Sequence, residues 1–325
     1  MVKPVLCGGE ILLDFLSKEV GKGLADSILF EKRPGGSIFN VAVGLRRLGV
    51  SASLLTKIGG DEFSQGLIDV ILKEKINTDC LKRDLNLNTT LAFATINKEG
   101  KPEFRFYREN AADTMLPVSE IMDINPRDYS MYHFGSISLL KKPSSDAYLE
   151  VLNNFYGEKV ITSFDPNIRP SLIKNRKNYL DMFYKVSEMV DVLKMSDDDL
   201  EYITGSTDMK EGLRNIPNKT NRLTLVTLGK NGAIGYHKGQ FIHVPAFNKI
   251  RIKETTGCGD AFMAAIIYRL LNSGSLTALS ISKLTDILTF ANAAAAIVAT
   301  RYGASNSMPQ LSEVNKFLSL HKKKD

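Results

Sequence analysis

Thr255-Thr256-Gly257-Cys258-Gly259-Asp260-Ala261-Phe262 runs directly into an apolar helical segment late in a chain of 325 residues. Its glycines let the backbone approach a ligand closely. Amides at the start of a helix are unpaired and aligned with the helix dipole, so they favour an anion. Asp260 follows at once, on the first turn. Two readings of this carboxylate are open: it caps the helix, as Asp often does, or it takes a proton beside a bound anion. An anion cradle touching a base suits phosphoryl transfer to a hydroxyl, because the cradle balances charge building on the transferred group.

Working outward, a second glycine pair opens Gly35-Gly36-Ser37-Ile38-Phe39-Asn40-Val41-Ala42 and continues through Leu45-Arg46-Arg47-Leu48-Gly49 to Ile58-Gly59-Gly60-Asp61-Glu62-Phe63. Ala42, Leu45 and Leu48 have the spacing of a buried helical face, and Asn40 falls on the first turns. Short apolar runs that end in polar residues read as strands: Val5–Cys7, Ser53–Gly59, Met131–Gly135, Val160–Asp165, Val190–Met195 and Leu223–Gly229. Helical patterns lie between them, at Phe63–Lys75, Ala147–Phe155 and Leu180–Met189. Strands alternating with helices predict a parallel, doubly wound α/β sheet with helices on both faces. Ligands of such sheets sit beyond the carboxyl ends of the strands, where Asp165, Ser196, Gly229 and Gly257 would gather. Phe15–Arg33 and Thr89–Arg108 break the alternation; the second reads as two strands joined by a turn at Lys98-Glu99-Gly100-Lys101. On the residues alone these are an antiparallel excursion.

Composition sets outer limits. The chain is 43% hydrophobic with a formal charge of +6, enough to bury a large core. No apolar run reaches the eighteen or so residues of a membrane helix, and Met1-Val2-Lys3-Pro4 enters the first strand without a signal-peptide hydrophobic region. Cys7, Cys80 and Cys258 are too few and too scattered for a disulfide framework; a cytoplasmic location is expected. The basic residues are dispersed except for Lys322-Lys323-Lys324, which reads as a solvated tail, so neither a nucleic acid nor a membrane is expected as a partner. No P-loop, protein-kinase, dinucleotide-binding, HExxH or CxxC pattern occurs. The four histidines read as surface or strand residues.

Together, the two glycine-led segments resemble the N- and C-terminal signatures of the ribokinase-like (PfkB) sugar kinases, over about Leu6 to Pro309. The resemblance implies one domain over residues 1–325: a ribokinase-like, mostly parallel sheet flanked by helices, with a small β-sheet lid from segments at about 15–33 and 88–112. It implies an ATP-dependent sugar kinase in which Asp260 is the base and the amides of Gly257, Cys258 and Gly259 hold the phosphate. Asp14, Gly35, Gly36 and Asn40 would bind sugar hydroxyls, with Tyr107 and Arg108 reaching in from the lid. Arg169, in Asp165-Pro166-Asn167-Ile168-Arg169-Pro170, would lie near the substrate or transferred phosphate. The Gly-Glu-Ile-Leu-Leu-Asp stretch ending at Asp14 and the Phe106-Tyr107-Arg108 segment resemble fructokinases and 2-keto-3-deoxygluconate kinases. Fructose is therefore the expected substrate, with the keto-acid and ribose as alternatives. A non-catalytic sugar- or nucleotide-binding regulator on the same fold is the alternative of a different class.

On the nucleotide side the resemblance implies Asn167, Ser196, Thr227, Gly229, Gly232 and Asn292. Mg²⁺ would enter with ATP, since it binds through few carboxylates plus substrate phosphates. The family's Asn-x-x-Glu stretch reads Ser196-Asp197-Asp198-Asp199 here, which leaves Asp199 to act on the metal through water. Glu254 stands where many relatives carry Asp. Together with backbone oxygens near Thr256, Val298 and Gly303 and the Ser307 hydroxyl, it would hold a monovalent cation such as potassium. Cys258 replaces the usual Ala, and its place at a helix start predicts a lowered pKa and an alkylation that ATP slows. The lid implies a homodimer.

Overall fold

The structure is a computed structural model and describes residues 3–97, 102–217, 223–274 and 276–321. The Lys98–Lys101 turn and the Lys322–Lys324 tail lie outside the described residues. From the N-terminus come β1 (Val5–Gly8), β2 (Leu12–Ser17), β3 (Phe30–Gly35), α1 (Ser37–Arg47), β4 (Ala52–Ile58) and α2 (Glu62–Lys73). Next are β5 (Leu81–Arg83), β6 (Leu91–Ile96), β7 (Pro102–Tyr107), β8 (Met131–Gly135), α3 (Ser144–Gly157), β9 (Thr162–Asp165) and α4 (Arg176–Met189). The last part holds β10 (Val192–Ser196), α5 (Asp197–Thr204), α6 (Met209–Asn215), β11 (Leu223–Thr227), β12 (Ala233–His237) and β13 (Gln240–Val244). It closes with α7 (Cys258–Leu271), α8 (Ile281–Ala299) and α9 (Leu311–His321).

Nine strands form one sheet in the order β13-β12-β11-β10-β9-β8-β1-β4-β5. From β5 to β11 every pairing is parallel, and β12 and β13 add antiparallel strands at the edge. β1, β4, β8 and β9 are buried along their whole length, as strands covered on both faces must be. One apolar layer packs α1, α7 and α8 through Phe39, Phe262, Ile266 and Leu288. The other packs α3, α4 and α5 through Phe155, Phe183 and Leu200 onto Tyr132, Phe134 and Phe164 of the sheet.

Small residues decide how closely the helices approach. A Cβ on Gly44 of α1 would lie 2.7 Å from Cβ of Ala264 on α7, so the two helices carrying the glycine-led motifs touch. α8 is, by length and composition, long and apolar enough to cross a membrane. It therefore departs from the expectation that no run is that long, its apolar pattern being broken in sequence by Lys283 and Asp286. Most of it is buried, packed against α7 and α9.

The second sheet has the order β3-β2-β6-β7. Its outer pairs are antiparallel but the central pair, β2 with β6, is parallel, so the excursion is not purely antiparallel. Phe15, Phe93 and Tyr107 cluster on one face, with Phe15 and Phe93 stacked at 4.9 Å and Tyr107 edge-on to Phe93 at 5.5 Å. The other face, carrying Leu12, Asp14, Phe104 and Phe106, looks into a cavity at the carboxyl ends of β1, β8, β9 and β10.

Candidate active site

Gly257 precedes α7 in the left-handed conformation (φ 82°). A Cβ there would lie 2.8 Å from Cα of Ala304, so glycine is required on both counts. Among the described residues the amides of Gly257, Gly259 and Asp260 donate to no protein acceptor, whereas Cys258 N–H donates to Thr255 O at 3.2 Å. The free amides are therefore those of Gly257, Gly259 and Asp260, not the expected set of Gly257, Cys258 and Gly259. The left-handed turn at Gly257 folds residue 258 back onto Thr255 and engages its proton.

The Asp260 carboxylate is buried and held from α1. Ser37 Oγ donates to Oδ1 at 2.8 Å, and Asn40 Nδ2 donates to Oδ2 at 2.8 Å. Ser37 and Asn40 are three positions apart and share a helix face, which the Gly44–Ala264 contact presses toward α7. Burial pushes the Asp260 carboxyl above its ordinary pKa, while both hydrogen bonds and the Lys194 ammonium oppose the shift. The carboxylate is thus oriented and raised toward the range of a working base.

Asp14 faces the same cavity from β2. Burial pushes it up to about 7; Arg169 and Arg33 oppose, and the Asp260 and Glu10 charges add to the rise. Gly35 makes room for it, since a Cβ there would fall 2.1 Å from Asp14 Oδ2. Gly36 (φ +106°) passes against Glu10 O, which a Cβ would meet at 2.5 Å. Glu10 itself is buried and accepts from Ser37 N at 3.0 Å and from the Ser138 hydroxyl. It fixes the start of α1, and so the residues that hold Asp260.

Lys194 is the functional candidate that sequence reasoning missed. It lies on β10, almost wholly buried, with Nζ 2.8 Å from Asp165 Oδ2 at the end of β9. A Cβ on Gly259 would sit 3.0 Å from that Nζ, so the ammonium lies beside the free amides of α7. Burial would lower its pKa, but Asp165, and to a lesser degree Asp199 and Asp260, hold it above the ordinary lysine value. Arg169 reaches the cavity too, its Nη1 donating to Asn167 Oδ1 at 2.6 Å. The cavity measures about 280 Å³, near the lower bound for small-molecule sites (about 300 Å³).

Several expected residues lie elsewhere. Tyr107 is 58% exposed, on the aromatic face of the small sheet away from the cavity; Phe104 and Phe106 line it instead. Alternation fixed which residues share a face, not which face turns inward. Arg108 is paired with buried Asp113 at 2.6 Å and donates to Ile137 O at 2.9 Å, so it rivets the base of the lid. Ser196 and Asp199 form a capping box at the start of α5: Ser196 Oγ accepts from Asp199 N at 3.0 Å and Asp199 Oδ2 from Ser196 N at 2.9 Å. The other Asp199 oxygen accepts from Ile168 N at 2.8 Å. Each oxygen thus accepts one backbone N–H, and the side chain serves the local fold. Burial, with the Asp260 and Glu254 charges, pushes the Cys258 thiol up to about 12, the reverse of the expected lowering. Desolvation is the largest cause of the rise.

On the nucleotide side, Thr227 ends β11 next to Ser196, and its hydroxyl donates to Met195 O at 3.4 Å. Gly229 (φ +52°) and Gly232 (φ +95°) make the following turn, and a Cβ on Gly232 would meet Val244 O at 2.1 Å. Asn292 donates to Val244 O and Pro245 O, both at 3.1 Å, tying α8 to the chain after β13. Three of the expected monovalent-cation donors have protein partners. Glu254 pairs with Arg33, Val298 O accepts from Arg301 N at 2.9 Å, and Ser307 Oγ donates to Tyr302 O at 2.9 Å.

Comparison with known proteins matches this arrangement. The description "pfkB family carbohydrate kinase" fits residues 3–311. The chain is 35% identical to probable fructokinase-6, chloroplastic, of Arabidopsis thaliana, over 97% of this chain and 82% of that protein. It is 33% identical to fructokinase-1 of Zea mays, over 95% of this chain and 96% of that one. The crystal structure of the Xylella fastidiosa fructokinase with bound ATP aligns with a TM-score of 0.87 at 28% identity, covering 99% of this chain and 100% of the other. Matching the family over residues 3–311 and similar to these proteins over nearly all of its length, the chain belongs to the pfkB family of carbohydrate kinases.

Proposed function

We propose that this sugar kinase transfers the γ-phosphoryl group of ATP to a primary hydroxyl of fructose. The observation that carries the reading is the Asp260 carboxylate, fixed by Ser37 and Asn40 within one turn of three free amides. In the proposed reaction the sugar hydroxyl donates to Asp260, which takes its proton as the hydroxyl oxygen attacks the γ-phosphorus in line with the leaving ADP oxygen. The amides of Gly257, Gly259 and Asp260 and the Lys194 ammonium balance the charge spread over the transferred group. Asp14 accepts from a second hydroxyl and sets the sugar's orientation. Phe104 and Phe106 close the cavity from the lid and keep water from competing as acceptor.

Mg²⁺ supplies charge neutralisation to the ATP phosphates when bound with them. Among the described residues no group of three or more His, Cys, Asp or Glu side chains is arranged to hold a metal, and Asp199 is engaged in its capping box. Mg²⁺ would therefore be held chiefly by the ATP phosphates, and no step above depends on a protein-held ion.

Fructose follows from the fructokinases among the relatives. A coupled ADP-release assay across fructose, 2-keto-3-deoxygluconate, ribose and adenosine tests it. Turnover selective for fructose supports the reading, selectivity for another compound replaces the substrate, and turnover with none of the four refutes it. The lid also supports a homodimer: Val20, Ile28 and Leu29, on the connection between β2 and β3, are all exposed. Light scattering is expected to give about twice the chain mass of 36.0 kDa; a monomer at that mass contradicts the dimer.

A further inference from the structure

We infer that the guanidinium of Arg33 supplies the positive charge that the sequence assigned to potassium, so that the anion cradle of this kinase works without a monovalent cation. Arg33 lies on β3 of the lid and is only 8% exposed. Its Nη1 donates to Glu254 Oε2 at 3.0 Å and its Nε to Glu31 Oε1 at 2.7 Å. The same Glu254 oxygen accepts from Gly303 N at 3.0 Å. Gly303 is left-handed (φ +95°), and a Cβ there would lie 3.4 Å from Arg33 Nη1. The next residue, Ala304, packs against Gly257, the first glycine of the cradle. One carboxylate therefore joins the lid, the segment after α8 and the cradle, and its counter-charge is an arginine.

The rest of that segment is held in the same way. Arg47 Nη1 donates to Asn306 O at 3.0 Å and Met308 O at 2.8 Å, and Arg301 Nη1 donates to Ser307 O at 3.2 Å. Ser305 Oγ donates to Pro34 O at 3.3 Å, one residue past Arg33. These guanidinium groups fix the segment that carries Gly303 and Ser307, and a cation on Glu254 would stand against Arg33 at like charge. The residues present do not fit a bound potassium ion. A guanidinium is permanently charged, and its planar fork serves several acceptors at once. It holds the segment without a binding equilibrium.

ADP affinity of the full chain, measured by calorimetry in choline chloride and in potassium chloride at equal ionic strength, tests this. The readout needs no sugar, so it stands whether or not fructose is the substrate. The wild-type affinity is expected to agree within about twofold in the two salts. Arg33→Ala is expected to bind ADP about tenfold more weakly in choline, the scale of one lost charge-assisted contact, and to recover when potassium or guanidinium is added. A wild-type enzyme that needs potassium for ADP binding overturns the inference. So does an Arg33→Ala variant that binds normally in choline, or one weakened beyond rescue by either cation. If Arg33→Ala does not fold, Arg33→Lys takes its place: an ammonium does not reproduce the fork that reaches Glu254 and Glu31 together, so a weakened ADP affinity in choline is expected and an affinity equal to the wild type's counts against the guanidinium's specific role.

Discussion

Ser37 and Asp260, 223 positions apart in sequence, meet where α1 and α7 begin, the serine hydroxyl donating to the carboxylate at 2.8 Å. That bond favours the charged carboxylate and so restrains a pKa that burial raises. Removing it in Ser37→Ala costs the charged form about 1.5–3 kcal/mol before water compensates, so the pKa rises by about one unit. The acid limb of the kcat profile should move to higher pH by that amount. A pH–rate series on the variant checks this, and a limb that stays in place removes Ser37 from the mechanism.

Asp14, pushed up to about 7, accepts most strongly from a sugar hydroxyl when ionised. Fructose binding should therefore tighten as pH rises through 7, by about tenfold between pH 6 and pH 8. Asp14→Asn should bind weakly and without that dependence. Titration of sugar against pH on both proteins decides it; a wild-type affinity that is flat across the range shows that Asp14 does not titrate there. The linkage to stability has the opposite sense. A carboxyl raised on folding stabilises most below its unfolded value near 3.9, and that contribution is lost as pH rises through 7.

Lys194 and Asp165 form an ion pair with almost no exposure. Lys194→Met leaves a buried carboxylate unpaired and should cost about 3–5 kcal/mol in denaturant melts. Adding Asp165→Asn removes that charge while keeping an acceptor for Asn167 N, so most of the stability should return. Turnover should not return with it, because the ammonium beside Gly259 is still missing. A double variant with wild-type kcat would confine Lys194 to a structural part.

With its thiol pushed up to about 12, Cys258 holds almost no thiolate at neutral pH. Iodoacetamide should modify it about a hundredfold more slowly than a free cysteine of pKa about 8.5, the loss of thiolate being partly offset by a more nucleophilic sulfur. Mass spectrometry of the intact protein over time measures the rate. Fast alkylation that ATP suppresses would restore the reactive thiol expected from its place at a helix start.

Much of the site was legible because its parts are contiguous in sequence. Gly257, Gly259 and Asp260 form one word at a helix start, and Gly35, Gly36 and Asn40 another. The parts that were misread depend on distant neighbours. Tyr107 alternates correctly with Phe106, but only the tertiary fold says which of them faces the cavity. Asp199 carried a local signal, since Ser196 with an acidic residue three positions on is a capping pattern, and that pattern outweighs the metal reading. Lys194 also had one: a charged residue inside Val192–Met195, otherwise a buried apolar strand, needs a partner and a purpose. Arg33 had none, because its partner Glu254 is 221 positions away.

The most direct test of the phosphoryl-transfer account is the turnover of Asp260→Asn with fructose and ATP, measured beside its affinities for both. The account predicts a loss of about two to four decades in kcat, the range of a general base, with fructose and ATP bound as tightly as by the wild type. Undiminished turnover with intact binding would show that Asp260 is a helix cap and that the proton leaves by another route.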